Sequence, residues 1–443
     1  MKRLLVYLLI FGGTLLLAQG AQAAYEGKVV DAKTKAPIDG ALVSLGDEVS
    51  HTGCDGYFRL ECTGDTLKLR APGYLRRNFS LAGLKDSSTE ITLTPIKVKA
   101  LYLTVYGIAT RLRQAALETI KANDMNALVI DVKGDRGIIP FKVDIPLAEE
   151  IGAQKLLLVK DMPALLASLK EQGLYLIARI VVFKDDPLAA ARPQWAVKKG
   201  GGVFRDREKL RWVDPFCREV WDYNIAVAKA AAELGFDEIQ FDYVRCPDNP
   251  GVVFSQPSNQ ETRTQAVTGF LKAAHEALAP YNVLVAADIF GYVCWNLDDT
   301  GIGQKIGQVV NVVDVISPML YPSGYHLGIP NYRNPVQHPY EIVYLSLKRA
   351  QERTGVSPMR FRPWLQAFRD YAFRGGDFKE ERMRTQIKAS DDFGANGWMF
   401  WNPRNIYPTG VFSKAGTDTS GADKPPDHDG SQENMKKKEE GGE

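Results

Sequence analysis

Two hydrophobic rhythms divide the chain. Between residues 25 and 96, short apolar or alternating runs at Glu26–Asp31, Ala41–Gly46, Tyr57–Glu61, Thr66–Ala71 and Glu90–Thr94 are cut by Pro37-Ile38-Asp39-Gly40, Asp55-Gly56 and Pro72-Gly73-Tyr74. A period of two punctuated by Pro, Gly and Asp predicts strands joined by tight turns, here a small antiparallel β-sandwich. From about residue 100 the rhythm changes. Strand-like runs at Leu101–Tyr106, Ala127–Val132, Leu174–Phe183, Glu238–Val244, Val283–Ile289, Val313–Leu320, Phe361–Ala367 and Gly397–Trp401 alternate with helical patterns. The patterns at Arg111–Asn123, Asp161–Gln172, Arg218–Leu234, Gln260–Leu278 and Tyr340–Thr354 have 3.6-residue spacing, and 300–311 and 379–393 complete the set less clearly. Eight such units predict an α/β fold, a (β/α)8 TIM barrel behind the small all-β domain. A doubly wound open sheet is the alternative, but no Gly-x-Gly-x-x-Gly follows an early strand.

The two ends are of other kinds. Met1-Lys2-Arg3, an apolar run from Leu4 to Ala18 and Ala21-Gln22-Ala23 predict a secretory signal cleaved after Ala23. The alternative, a retained anchor, needs a span of about 20 apolar residues, and this run is shorter. No Cys follows it to take a lipid. The tail after Phe412 is polar and charged and predicts disorder. The expected organisation is 1–23 signal, 25–97 sandwich, 100–412 barrel and 413–443 tail, with the mature protein periplasmic or secreted and not spanning a membrane.

Charge sharpens this. The 55 Lys+Arg and 53 Asp+Glu leave +2. Residues 24–412 hold 48 basic and 45 acidic residues once the two basic residues of 1–23 and the five basic and eight acidic residues of the tail are removed. No domain-scale basic surface results, which argues against nucleic acid as a partner. Five Cys suit no disulfide framework: Cys54 could bridge Cys62, Cys246 could meet Cys294, and Cys217 is left over. No His-x-x-x-His, Cys-x-x-Cys or Gly-x-Ser-x-Gly is present, so neither a metal, a cofactor nor a serine nucleophile is expected.

The chemistry of such barrels lies at the C-terminal ends of their strands. In Glu238-Ile239-Gln240-Phe241-Asp242-Tyr243-Val244-Arg245, alternation turns Gln240 and Asp242 toward the axis. In Val283–Gly291 it does the same for Leu284, Ala286 and Asp288. Neighbouring strands are about 4.8 Å apart. Two inward carboxylates on adjacent strand ends therefore suit glycosidases, which need one ionised as nucleophile or base and one protonated as acid. The bland alternative for each Asp is a helix cap or a structural hydrogen bond. Further strand ends offer Asp131 and Lys133 on one face, Arg245, Tyr321, Trp364 with Gln366, and Trp401 with Asn402. Aromatic faces stack on sugar rings and amides bind hydroxyls, so these are the candidate sugar contacts; barrel packing is the alternative for each Trp.

Two resemblances follow from the motifs. Gly27-Lys28-Val29-Val30-Asp31, Pro37–Ala41, Asp55-Gly56-Tyr57-Phe58 and Ala71-Pro72-Gly73-Tyr74 resemble the carboxypeptidase regulatory-like β-sandwich, usually an accessory domain. Phe236–Arg245, Ala287–Gly291, Val315–Ser323, Arg362–Gln366 and Trp401-Asn402 together resemble a bacterial domain family of unknown function classed with the glycosyl hydrolases, within the α-amylase-like TIM-barrel superfamily. The superfamily pattern implies Asp242 as nucleophile and Asp288 as acid/base. Two departures weigh against ordinary α-glucan hydrolysis: Gln240 and Asp288 stand where α-amylases have Arg and Glu, and Trp364 and Gln366 stand where they have a further Asp. The expected function is hydrolysis of a cell-envelope or extracellular polysaccharide. The alternatives are a non-catalytic glycan-binding protein and an envelope adaptor docking through the sandwich.

Overall fold

The structure is a computed structural model that describes residues 24–412, apart from 62–63 and 83–87. The expected signal and tail, and Cys62 with its candidate pairing, lie outside the described residues. Cys246 and Cys294 are separate, buried thiols.

The N-terminal region forms two small sheets. Tyr25–Asp31 sits between Tyr57–Leu60 and Ser88–Leu93, while Glu48–His51, Leu42–Leu45, Thr66–Arg70 and Arg77–Ser80 form an antiparallel sheet of four. Their inner faces share Val29, Val43, Leu45, Phe58, Leu67, Leu69 and Ile91. Glu48–His51 and Arg77–Ser80 are strands the hydrophobic pattern does not announce. They are edge strands, mostly polar and largely exposed, so no buried face imposes a visible period.

The sandwich docks on the barrel's N-terminal end. Arg76 pairs with Asp237 at 3.0 Å and donates to the carbonyls of Gly235 and Asn282. Arg70 donates to the Ala279 carbonyl, and the Asn282 amide to Asn78. These barrel residues precede the fourth and fifth strands, so the sandwich lies opposite the strand ends that carry the candidate chemistry.

Eight parallel strands close the barrel in chain order: Val98–Leu103, Ala127–Lys133, Tyr175–Val181, Glu238–Asp242, Leu284–Phe290, Val315–Met319, Trp364–Gln366 and Gly397–Trp401. The first lies three residues earlier than expected, and it ends at Leu103 because Thr104 opens a turn in which its hydroxyl accepts from the Gly107 amide. Helices Arg111–Ala122, Met162–Glu171, Arg218–Glu233, Gln260–Leu278, Ile306–Val309, Pro339–Thr354 and Glu380–Phe393 surround it. Asp161 and Asn259 cap two of them through bonds to the Ala164 and Thr262 amides. Strand side chains alternate as a pleat requires. Ile239, Phe241, Val285, Ala287 and Ile289 pack on the helix layer, and Ala100, Tyr102, Val129, Ile177, Trp364 and Met399 fill the interior. The ring closes where Gly397, at φ 79°, pairs with Val98; a Cβ at Gly397 would lie 1.9 Å from the Val98 carbonyl oxygen.

Candidate active site

The group that organises the strand ends was not among the sequence candidates. Arg179 occupies an inward position of the third strand and is completely buried. Its register neighbour on the second strand is Asp131, and on the other side Val181 pairs with Asp242. One guanidinium therefore meets three carboxylates. Nε donates to Asp242 at 2.9 Å, Nη1 to Asp131 at 2.7 Å and Nη2 to Asp135 at 2.8 Å, with a further Nη2 contact to Asp242. The guanidinium carbon lies 4.6 Å from the ring centre of Trp401, which stacks on Tyr102 at 4.0 Å. Gln240, two residues before Asp242, bonds Ser317, and the cation that meets Asp242 arrives from the neighbouring strand.

Asp242 has a second partner: its other oxygen accepts from the Tyr243 amide at 2.5 Å. Tyr243 has φ 48°, an uncommon backbone for a bulky residue. It is held there by packing against Trp212 and by the Lys184 ammonium over its ring. The turn aims the amide back at the carboxylate.

Asp288 is Asp242's counterpart on the fifth strand, since Phe241 pairs with Ala287 and places both carboxylates at one level. Its environment is opposite. One oxygen accepts from Trp364 Nε1 at 2.7 Å; the other is buried without a partner. Burial, then the charge of Asp242, push its pKa well above the carboxylate range, against the smaller pull of Arg179 and Trp364. Asp131 is pushed up to about 6, chiefly by burial, with Arg179 opposing.

Asp242, Arg245, Tyr321 and Trp401 line one cleft of about 210 Å³ with Arg179, Tyr243, Phe290 and Met319. Asp131 lines an adjoining pocket of about 460 Å³ that shares Trp401, and Asn402 a third of about 990 Å³. Others lie elsewhere. Lys133 is turned away from Asp131 by a bulge, since Asp131 pairs with Arg179 while Lys133 pairs with the next residue, Ile180. Its ammonium is buried against Asp185 at 2.6 Å, over the Tyr223 ring of the helix layer. Trp364 and Gln366 are buried: the indole serves Asp288, and the Gln366 amide bonds Ser323. The Asn402 amide donates to the carbonyls of Ala367 and Ile406 and braces its loop. Among the described residues no group of three or more His, Cys, Asp or Glu is arranged to hold a metal ion, and no helix is long and apolar enough to cross a membrane.

The molecule is a parallel eight-stranded barrel with a charged, aromatic-walled cleft at its strand ends, and its class follows from its sequence. Residues 100–407 match the model of a family described as "Putative glycosyl hydrolase domain", and the chain belongs to that family. No curated protein matches it. Among solved structures, the glycoside hydrolase domain of PgaB (BpsB) from Bordetella bronchiseptica is similar at TM-score 0.52 and 16% identity, covering 72% of this chain and 99% of that one. A hypothetical protein from Ruminiclostridium thermocellum ATCC 27405 is 35% identical over 42% of this chain and 96% of its own, at TM-score 0.38.

Proposed function

We propose that the chain is an exported glycoside hydrolase of a cell-envelope or extracellular polysaccharide, with Asp242 as nucleophile and Asp288 as general acid/base. The observation that carries the assignment is the contrast between two carboxylates at one level of the barrel. Asp242 faces the cleft and accepts from Arg179 and the Tyr243 amide, the geometry of a carboxylate held ready beside a sugar. Asp288 is buried with an unpartnered oxygen, which favours its protonated form. Asp242 attacks the anomeric carbon as the glycosidic C–O bond breaks, and the Asp288 proton passes to the departing oxygen. Water, losing a proton to Asp288, then cleaves the glycosyl ester and frees Asp242. Export rests on the sequence pattern of residues 1–23.

The test is a screen of the purified mature protein against peptidoglycan strands, amino-sugar polymers and neutral glucans, with products weighed by mass spectrometry. On the substrate found, Asp242→Asn and Asp288→Asn should each lower kcat by roughly 10²–10⁴-fold. Full activity in both variants sinks the assignment.

A further inference from the structure

A second pocket adjoins the cleft that holds Asp242. It lies over the ends of the first, second and eighth strands, shares Trp401 with the cleft, and at about 460 Å³ falls within the roughly 300–1,000 Å³ usual for small-molecule sites. Its carboxylates, Asp131 and Asp135, are both engaged by the buried Arg179. Two other arginines line it, Arg136 from the loop after the second strand and Arg404 from the loop after the eighth. Both are exposed, and among the described residues neither has a carboxylate within 4.0 Å. Tyr106, with 48% of its surface exposed, and the buried Ile138 supply apolar wall. A ligand there meets committed acids at Arg179 and two uncommitted guanidinium forks beside an aromatic ring. Guanidinium matches carboxylate geometry through paired N–H groups, and an aromatic face suits the C–H face of a pyranose.

We propose that this pocket is a subsite for a carboxylate-bearing sugar, a uronic acid unit adjacent to the bond that is cut. The inference rests on the glycoside hydrolase reading and narrows its substrate to an acidic polysaccharide. Arg136 and Arg404 hold the carboxylate. Trp401, the shared wall, keeps the unit next to the one above Asp242.

Binding tests this without turnover. The full chain carrying Asp242→Asn is titrated calorimetrically with tetrasaccharides of galacturonate, mannuronate and glucuronate, each beside its methyl ester, at low and high salt. At least one acid form should bind about tenfold more tightly than its ester, with the preference shrinking as salt rises. Arg136→Gln with Arg404→Gln should bring acid and ester within about twofold while leaving the melting temperature unchanged. The corresponding Lys pair should retain part of the preference. The subsite is overturned if no acid form binds more tightly than its ester, or if the preference survives the Gln pair. Hydrolysis of a neutral glycan that depends on Asp242, with no preference for acids, would refute the subsite and leave the hydrolase reading standing.

Discussion

Replacing Arg179 by Met removes the charge on which the strand ends converge while keeping much of the side-chain length. In the native protein Arg179 is buried with Asp131 at 2.7 Å, Asp135 at 2.8 Å and Asp242 as partners. Removing one member of a buried ion pair costs about 3–5 kcal/mol because the other charge is left uncompensated. Three carboxylates left facing one another place the variant at the upper end of that range at neutral pH. At about 2–4 °C per kcal/mol for a large domain, the melting temperature should fall by roughly 10–20 °C. The pH dependence is the sharper test. Asp131 already lies at about 6 with Arg179 present, above its ordinary value, and losing the cation that opposes this rise moves it further up. A carboxylate whose folded pKa exceeds its unfolded pKa contributes stability below the unfolded value and loses it as pH rises through the folded one. The gap between native and variant protein should therefore be widest above about pH 7 and should narrow on acidification toward about pH 4. Urea unfolding followed by Trp fluorescence from pH 4 to 8 measures it. A gap that stays constant, or widens in acid, refutes the reasoning. Adding Asp131→Asn to the variant should restore part of the loss at neutral pH.

Trp364→Phe removes the indole donor to Asp288, a bond that favours the ionised carboxyl; the alkaline limb of the kcat profile should move to higher pH, and an unmoved limb argues against Asp288 as the acid. Lys133→Met leaves Asp185 buried and unpaired, so it should destabilise by about 3–5 kcal/mol in urea unfolding, with KM of the residual folded enzyme unchanged. Cys246 and Cys294 are buried, with thiols pushed up to about 12; a thiol reagent should label exposed Cys54 in the native protein and reach the other two only on unfolding, as peptide mapping will show.

The inward aim of Asp242 and Asp288 was legible because the two-residue period of a strand is local physics: residues on either side of each carboxylate had to meet the helices. Arg179 obeys the same period with Tyr175 and Ile177, and a lone charge at an inward position of an otherwise apolar strand was the available signal. Its partners were not legible. They depend on the register between the second, third and fourth strands, which distant packing decides. The bulge that separates Lys133 from Asp131 is likewise a matter of pairing, and alternation put both on one face. Trp364 joins the interior layer with Tyr102 and Met399, but period says nothing of depth, and both Trp364 and Gln366 are buried. The positive φ at Tyr243 falls on a residue that is neither Gly, Asn nor Asp, so no turn residue marks it; packing against Trp212 and Lys184 enforces it.

Ring closure has a consequence for how the chain becomes an enzyme. The pairing of Val98–Leu103 with Gly397–Trp401 joins segments roughly 300 residues apart, a contact whose loop entropy must be overcome before it yields any stabilisation. Trp401 belongs to that last strand, so its stack on Tyr102 and its seat over Arg179 form only in the closing step. During synthesis the cleft is therefore finished last, after nearly the whole barrel sequence has been made. Catalytic activity in this molecule is a direct report that the ring has shut.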